Sequence, residues 1–248
     1  MASSKSAFPL DVPVAILAGG LATRLQPLTT MIPKSLLEVS GEPFIAHQLR
    51  LLRMKGIRKA VLCVGHLGEQ IEAFVGDGKP FGLDVLYSYD GPHLLGTGGA
   101  VRKALPLLGE SFLVMYGDSY LDMDMAALVS AFGCSGKKGM MTVLRNENRW
   151  DRSNVLFEAG VVRHYDKKSP REAMKHIDYG LTVLKAEAFA SFGPSFDLAE
   201  LFSALIAEGQ MGGFEAAERF YEIGSPSGLR ETEHYLSALK SKGGNHER

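Results

Sequence analysis

The segment LAGGLATRLQPLTTMIPKS, Leu17 to Ser35, sets a glycine turn, two cations ten positions apart and a proline-led second loop in one short stretch. It grows out of VAIL, Val14 to Leu17, an apolar run stopped by Gly19-Gly20 that reads as a short buried strand. In an open parallel sheet, ligands bind beyond the carboxyl ends of the strands, which is where these glycines fall. Glycine lets the backbone turn sharply and approach a ligand without a Cβ in the way, and successive N–H groups in such a turn can cradle an anion. Arg24 can fork onto phosphate oxygens, Lys34 offers a mobile point charge, and Pro33 fixes the backbone that aims it. Taken singly, a Gly-Gly after a strand is a turn and a Pro-Lys a surface loop; together they point to phosphate. The stretch does not fit GxGxxG and no GK[ST] follows, so the dinucleotide fingerprint and the P-loop are both excluded.

Outward from this loop, strands alternate with helices. Pro43 opens a helical run, FIAHQLRLLRMK, which Gly56 ends. AVLCVG (Ala60 to Gly65), LDVLYSY (Leu83 to Tyr89) and FLVMY (Phe112 to Tyr116) read as further strands, with LGEQIEAFVG and GGAVRKALPLL as the helices between them. Continuous apolar strands predict an α/β fold, a Rossmann-like mixed, mostly parallel sheet with helices on both faces. After about residue 135 the pattern changes: MMTVL, NVLFEAGVVRHY and YGLTVL read as strands joined by turns. A helix from about Leu198 to Glu208 follows, and Ser225-Pro226 caps a last one through Leu229, Leu236 and Leu239. The expected organisation is a loose tail over 1–11, one domain over 12–240 with a first half to about 135 and a second from 136, and a polar tail over 241–248.

The chain has 248 residues and a formal net charge of −1, so no global field draws it to nucleic acid or an anionic membrane. No apolar run approaches the roughly 18 residues of a membrane span, and the N-terminus lacks the apolar region of a signal peptide. Cys63 and Cys134 have no metal-ligand spacing and form no disulfide framework, which suits a reducing cytoplasm.

LAGGLATRLQPLTTMIPKSLLEVSGEPFI closely resembles the signature of sugar-1-phosphate nucleotidyltransferases, roughly LAGGxGTRLxPLTxxxPKxLxxVxxxP. The resemblance continues in LGTGGA (Leu95 to Ala100), YGDSYLDMD (Tyr116 to Asp124) and YEIGSP (Tyr221 to Pro226). Ala22 departs from it, standing where the family usually has glycine. The chain length suits the short type similar to mannose- or heptose-1-phosphate guanylyltransferases. Uridylyl-, thymidylyl- and cytidylyltransferases of other phosphorylated acceptors share the first motif, and a catalytically silent nucleotide-sugar sensor is the competing class.

The resemblance implies that the phosphate of a sugar 1-phosphate attacks the α-phosphorus of a nucleoside triphosphate and expels pyrophosphate, with Mg2+ as cofactor. By motif position Arg24 holds the pyrophosphate portion, Lys34 the phosphates at the reacting centre, and Asp118 the metal. Leu17, Ala18, Gly19 and Gly20 line the nucleotide, and Gly96, Thr97, Gly98 and Gly99 border base and ribose. Asp90 is either a turn residue of YDGP or an acceptor for guanine N–H groups; the preference for guanine rests on it and on the LGTGGA segment, which is similar to that of the heptose enzymes. Glu222 in YEIGSP stands at the second metal carboxylate, an aspartate in the family, or else simply precedes a helix. Asp124 reads as a helix N-cap and Asp122 is left open. In YDKKSP, Tyr165 to Pro170, Lys168 aligns with the lysine that contacts the sugar phosphate, whereas Lys167 reads as a solvated surface residue. Asp178 and Gly180 fall where the family faces the sugar. The 146–154 segment, NENRWDRSN, is a lid over the sugar or an ordinary loop. Partners are therefore a nucleoside triphosphate and a sugar 1-phosphate, with no nucleic acid and no membrane; a homo-oligomer is compatible with the sequence.

Overall fold

The computed structural model describes residues 10–243. In chain order its strands are β1 (Val14–Leu17), β2 (Glu38–Val39), β3 (Glu42–Pro43), β4 (Lys59–Val64), β5 (Asp84–Tyr89), β6 (Ser111–Tyr116), β7 (Ser119–Tyr120), β8 (Gly139–Arg145), β9 (Val155–Glu158), β10 (Val161–Tyr165), β11 (His176–Lys185), β12 (Met211–Ala216) and β13 (Tyr221–Glu222). Among the described residues six α-helices accompany them: α1 (Phe44–Met54), α2 (Gly68–Val75), α3 (Gly96–Leu108), α4 (Met125–Ser135), α5 (Leu198–Ala207) and α6 (Pro226–Gly243). The tails expected over 1–11 and 241–248 lie mostly outside the described residues. Their inner ends are structured: Leu10 bridges to Ile57, and α6 runs on to Gly243.

Nine strands form one sheet in the order β5-β4-β1-β6-β11-β8-β12-β10-β9. The first four pair in parallel, as continuous apolar strands linked by helices require. The expectation of a mostly parallel sheet fails beyond β6. β11 joins β6 antiparallel and β8 joins β11 antiparallel, β12 lies parallel to β8, and β10 and β9 close the far end antiparallel. A tight turn joins β9 to β10, and loops rather than crossover helices join β8 to β9 and β10 to β11. Between β9 and β10, Ala159 and Gly160 both have positive φ (48° and 78°), the backbone a two-residue hairpin turn demands. β9 also meets β11 at His176↔Val155, so this half of the sheet rolls on itself. The sheet is mixed, with helices on both faces.

Strand alternation sorts the two cores. Val14 and Ile16 of β1 point into a core with α1, α2 and α4, whereas Ala15 points into the opposite core with α3 and α5. Ile16, Leu49, Leu62 and Leu201 are completely buried, and each contributes roughly 1.5–3 kcal/mol of hydrophobic stabilisation. A third, smaller cluster seats α6 through Leu236 against Phe44, Tyr120 and Ile223. Asp124 caps α4 by accepting the Ala127 N–H at 2.9 Å, as its position before MAALVSAF predicts. Asp122 instead pairs with Lys55 at 2.5 Å. No helix among the described residues is long and apolar enough to cross a membrane.

Candidate active site

The carboxyl ends of β1, β4, β5 and β6 share one edge. The Ala18 N–H donates to the Cys63 carbonyl at 2.8 Å, that of Asp90 to Val64 at 2.9 Å and that of Gly117 to Leu17 at 3.0 Å. These bonds draw the four strand exits together beneath a cavity of about 210 Å³. Leu17 to Gly20 form one wall, Tyr116 to Asp118 another, and Asp90, Gly96 and Thr97 a third, with Lys34 and Ser35 also lining it. Burial pushes the Asp90 carboxyl above the ordinary aspartate range, with the Leu95 N–H and the Lys103 ammonium partly opposing the shift. Gly98 and Gly99 do not line the cavity, contrary to expectation. A Cβ on Gly98 would strike the Phe196 ring, and one on Gly99 the Pro194 carbonyl. These glycines let α3 pack against the 194–196 segment, and the Gly98 N–H bonds the Phe196 carbonyl at 2.9 Å.

Two carboxylates far apart in sequence meet beside this cavity because β13 pairs with β7, setting Glu222 opposite Ser119 and next to Asp118. They converge on the α-carbon of Gly224. The position a Cβ would take there lies 2.6 Å from Glu222 Oε2, 3.0 Å from Asp118 Oδ2 and 3.3 Å from Arg24 Nη2. Glu222 is held by the Gly224 N–H and by the Ser225 hydroxyl, which donates at 2.7 Å. Lys34 donates to Asp118 Oδ2 at 2.6 Å. With no side chain on Gly224 between them, the two carboxylates offer oxygen donors of the kind a small hard cation takes. Among the described residues no three His, Cys, Asp or Glu side chains form a complete metal cage.

The turn expected to depend on glycine is held by Ala22 in the left-handed region (φ 48°, ψ 42°), and its carbonyl accepts the Thr29 hydroxyl at 2.9 Å. Arg24 and Lys34 each sit in a single 3₁₀ turn after it, Thr23–Leu25 and Lys34–Leu36.

A second polar cluster adjoins the cavity through Tyr116. Asp178, almost wholly buried, accepts the Tyr165 hydroxyl at 3.2 Å and lies 3.3 Å from Lys167 Nζ. Its other oxygen accepts the N–H of Gly180, whose φ of +92° marks the irregularity in the β11–β8 ladder. Lys167 also donates to the Tyr116 hydroxyl at 3.2 Å and sits over the Tyr116 and Tyr165 rings. Burial opposes its charge, but Asp178 and the two tyrosines outweigh that and raise its pKa above the ordinary lysine range. Burial, reinforced by Asp178, pushes the Tyr116 hydroxyl up to about 12. Both lysines are exposed; the Lys168 N–H is tied to Asp166 at 2.8 Å, whereas the Lys167 ammonium, on a side chain 44% accessible, reaches the Asp178 cluster. Both lysines follow the end of β10 in a bend, where no strand period separates them in sequence.

Sequence reasoning also passed over Tyr116, Tyr165, Ser35 and Asn154. Ser35 is buried with no partner for its hydroxyl, and Asn154 Oδ1 receives the Asp178 N–H at 2.9 Å. The 146–154 segment is a bonded loop rather than a free strap. Asn146 donates to the Asp151 carbonyl and to Ser153, and Trp150 stacks with Arg219 at 5.0 Å.

A mixed α/β sheet carries a glycine loop, separated cations and paired carboxylates at its strand exits. The sequence model of the family described as nucleotidyl transferase matches residues 14–168, more than half of the chain, and the chain belongs to that family. It is 42% identical over 113 residues to an N-acetylmuramate alpha-1-phosphate uridylyltransferase of Neisseria meningitidis serogroup B, covering 45% of this chain and 49% of that protein. It is 29% identical over 236 residues to a mannose-1-phosphate guanylyltransferase catalytic subunit beta of Drosophila melanogaster, covering 92% of this chain and 63% of that one. The chain thus spans about half to two thirds of the length of these relatives. Its fold is similar to that of HddC from Yersinia pseudotuberculosis in a complex with GMP-PN, with a TM-score of 0.76 at 22% identity over 91% of this chain and 99% of that one.

Proposed function

We propose that the chain condenses a nucleoside triphosphate with a sugar 1-phosphate, giving a nucleotide sugar and pyrophosphate. The observation that carries this reading is the meeting of Arg24, Asp118 and Glu222 around Gly224, with Lys34 on Asp118 at the edge of the cavity. A phosphate oxygen of the acceptor bonds to the α-phosphorus, and the bond from that phosphorus to the pyrophosphate oxygen breaks. Both substrates are anions, so charge neutralisation and alignment dominate the barrier. Arg24 forks onto the departing pyrophosphate and Lys34 takes charge accumulating at the α-phosphate. Asp118 and Glu222 would hold Mg2+, which when bound neutralises phosphate charge. Backbone from Leu17 to Gly20 faces the phosphates, and Gly96 and Thr97 face the nucleoside.

Residues 12–135 serve the nucleotide and 136–240 the acceptor, where Lys167 takes the role expected of Lys168, steadied by Asp178 and the Gly180 bulge. Asp90 favours guanine. Its carboxylate matches the two adjacent N–H donors of that base, while the single N–H of uracil is flanked by carbonyls that an anion repels. Mannose- or heptose-type 1-phosphates are the acceptors that accompany this base. Both substrates are cytoplasmic metabolites, and we place the activity there.

A second reading rests on the 42% identity to the Neisseria enzyme: UTP as donor and an acidic amino sugar 1-phosphate as acceptor, whose carboxylate Lys167 would meet. Pyrophosphate release measured across GTP, UTP, dTTP and CTP, each against mannose, heptose, glucose and N-acetylmuramate 1-phosphates, separates the two. Release with none of them, despite nucleotide binding, supports a silent sensor instead.

A further inference from the structure

The Lys34–Asp118 contact is more than a neighbouring ion pair. Lys34 Nζ lies 2.6 Å from Oδ2 of Asp118, the same oxygen that faces the Gly224 hollow at 3.0 Å. Both side chains are about one-fifth exposed, so the pair is screened less than a surface pair. Glu222, the opposite wall, is arranged differently. Its oxygens are tied by the Gly224 N–H and the Ser225 hydroxyl, and among the described residues no lysine or arginine lies within ion-pair distance of it. One carboxylate of the hollow is thus preset by neutral donors, and the other is occupied by a cation that belongs to the chain.

We infer that Lys34 masks the Asp118 half of the metal position in the nucleotide-free protein and leaves it only when a triphosphate offers the ammonium a stronger anion. This inference rests on the proposed nucleotidyl-transfer reading of the site. A divalent cation within roughly 2.1 Å of Asp118 Oδ2 cannot share that oxygen with an ammonium without strong like-charge repulsion. Lys34 shares a wall of the cavity with Ser35 and needs only a side-chain rotation to turn from carboxylate to phosphate. The exchange couples the two ligands, because moving Lys34 onto phosphate uncovers Asp118. By linkage, filling the metal position favours phosphate at Lys34 by the same factor. Metal alone then binds weakly, and the metal position forms together with the triphosphate.

Mn2+ binding to nucleotide-free protein, read by electron paramagnetic resonance and water-proton relaxation, tests this. Lys34→Gln should bind Mn2+ at least tenfold more tightly than the wild type, and Lys34→Arg, which retains a masking cation, should stay at the wild-type value. The double variant Lys34→Gln/Asp118→Asn should lose the gain, which places it at Asp118. Melting temperatures confirm folding, and added Mn2+ should raise that of Lys34→Gln but not that of the wild type. Equal affinity of wild type and Lys34→Gln overturns the masking role while leaving the proposed function standing. If the wild type with a non-hydrolysable triphosphate shows no protein-bound Mn2+, the site reading itself falls, and the masking role with it.

Discussion

Lys167 stands 3.3 Å from the Asp178 carboxylate and 3.2 Å from the Tyr116 hydroxyl, so the second half of the sheet grips the strand that delivers Asp118. If this cluster receives the acceptor, Lys167→Ala should raise the Michaelis constant for the sugar phosphate tenfold or more, the value of a charge-assisted contact of about 1.5–3 kcal/mol. Lys168→Ala should leave it nearly unchanged. Initial rates at saturating nucleotide decide, and the opposite ranking would restore Lys168 to the site.

Lys34→Ala should lower turnover about a hundredfold while changing nucleotide affinity far less, because charge at the α-phosphate grows only as the new bond forms. A variant with full turnover and only a raised Michaelis constant would show that Lys34 contributes nothing beyond ground-state phosphate binding.

Glu222→Gln should raise the Mg2+ concentration needed for half-maximal activity at least tenfold, with little change in melting temperature. Gly228→Ala should fail in a different way. A Cβ there runs into the Glu222 carboxylate, so both stability and metal dependence should suffer. Unchanged behaviour of Glu222→Gln across a magnesium titration would reduce Glu222 to a residue that merely precedes α6.

The Asp90 carboxyl has a folded-state pKa above its unfolded value, chiefly through burial. Ionisation at neutral pH therefore costs stability, and the cost fades as pH falls through the folded-state value. Asp90→Asn should melt higher than wild type at pH 7, with the gap shrinking toward pH 4. The same variant should lose discrimination between GTP and UTP by about tenfold or more, the scale of an unpaired polar contact. A gap that widens on acidification would contradict the burial argument.

Ala22 holds a left-handed backbone that costs an L-residue roughly 1–2 kcal/mol. Ala22→Gly removes that strain but loosens the unfolded chain, so a net gain of up to about 1 kcal/mol is expected. Chemical denaturation measures it, and a loss of stability would show that the alanine methyl makes contacts worth more than the strain.

The limits of the sequence were physical. β1 was legible to the residue because its apolar run is bounded by glycine, and the Asp124 cap because Asp precedes a helical period. Asp118 and Glu222 could be singled out by motif, but their meeting depends on the two-residue β7–β13 ladder, a pairing across about a hundred residues. The antiparallel turn of the sheet after β6 was hidden for the same reason, since register between distant strands leaves no local mark. Gly98 shows a different blindness: a glycine that clears space for Phe196 looks the same in sequence as one that clears space for a ligand.

The seam between β6 and β11 has a consequence for synthesis. Ser111–Tyr116 pairs on one side with β1, made long before, and on the other with His176–Lys185, made about sixty residues later. A chain leaving the ribosome at 5–20 residues per second exposes that hydrophobic edge for on the order of several seconds. Throughout that interval the nascent protein carries an open template for intermolecular pairing, and a nonsense mutation between residues 120 and 175 would make the exposure permanent.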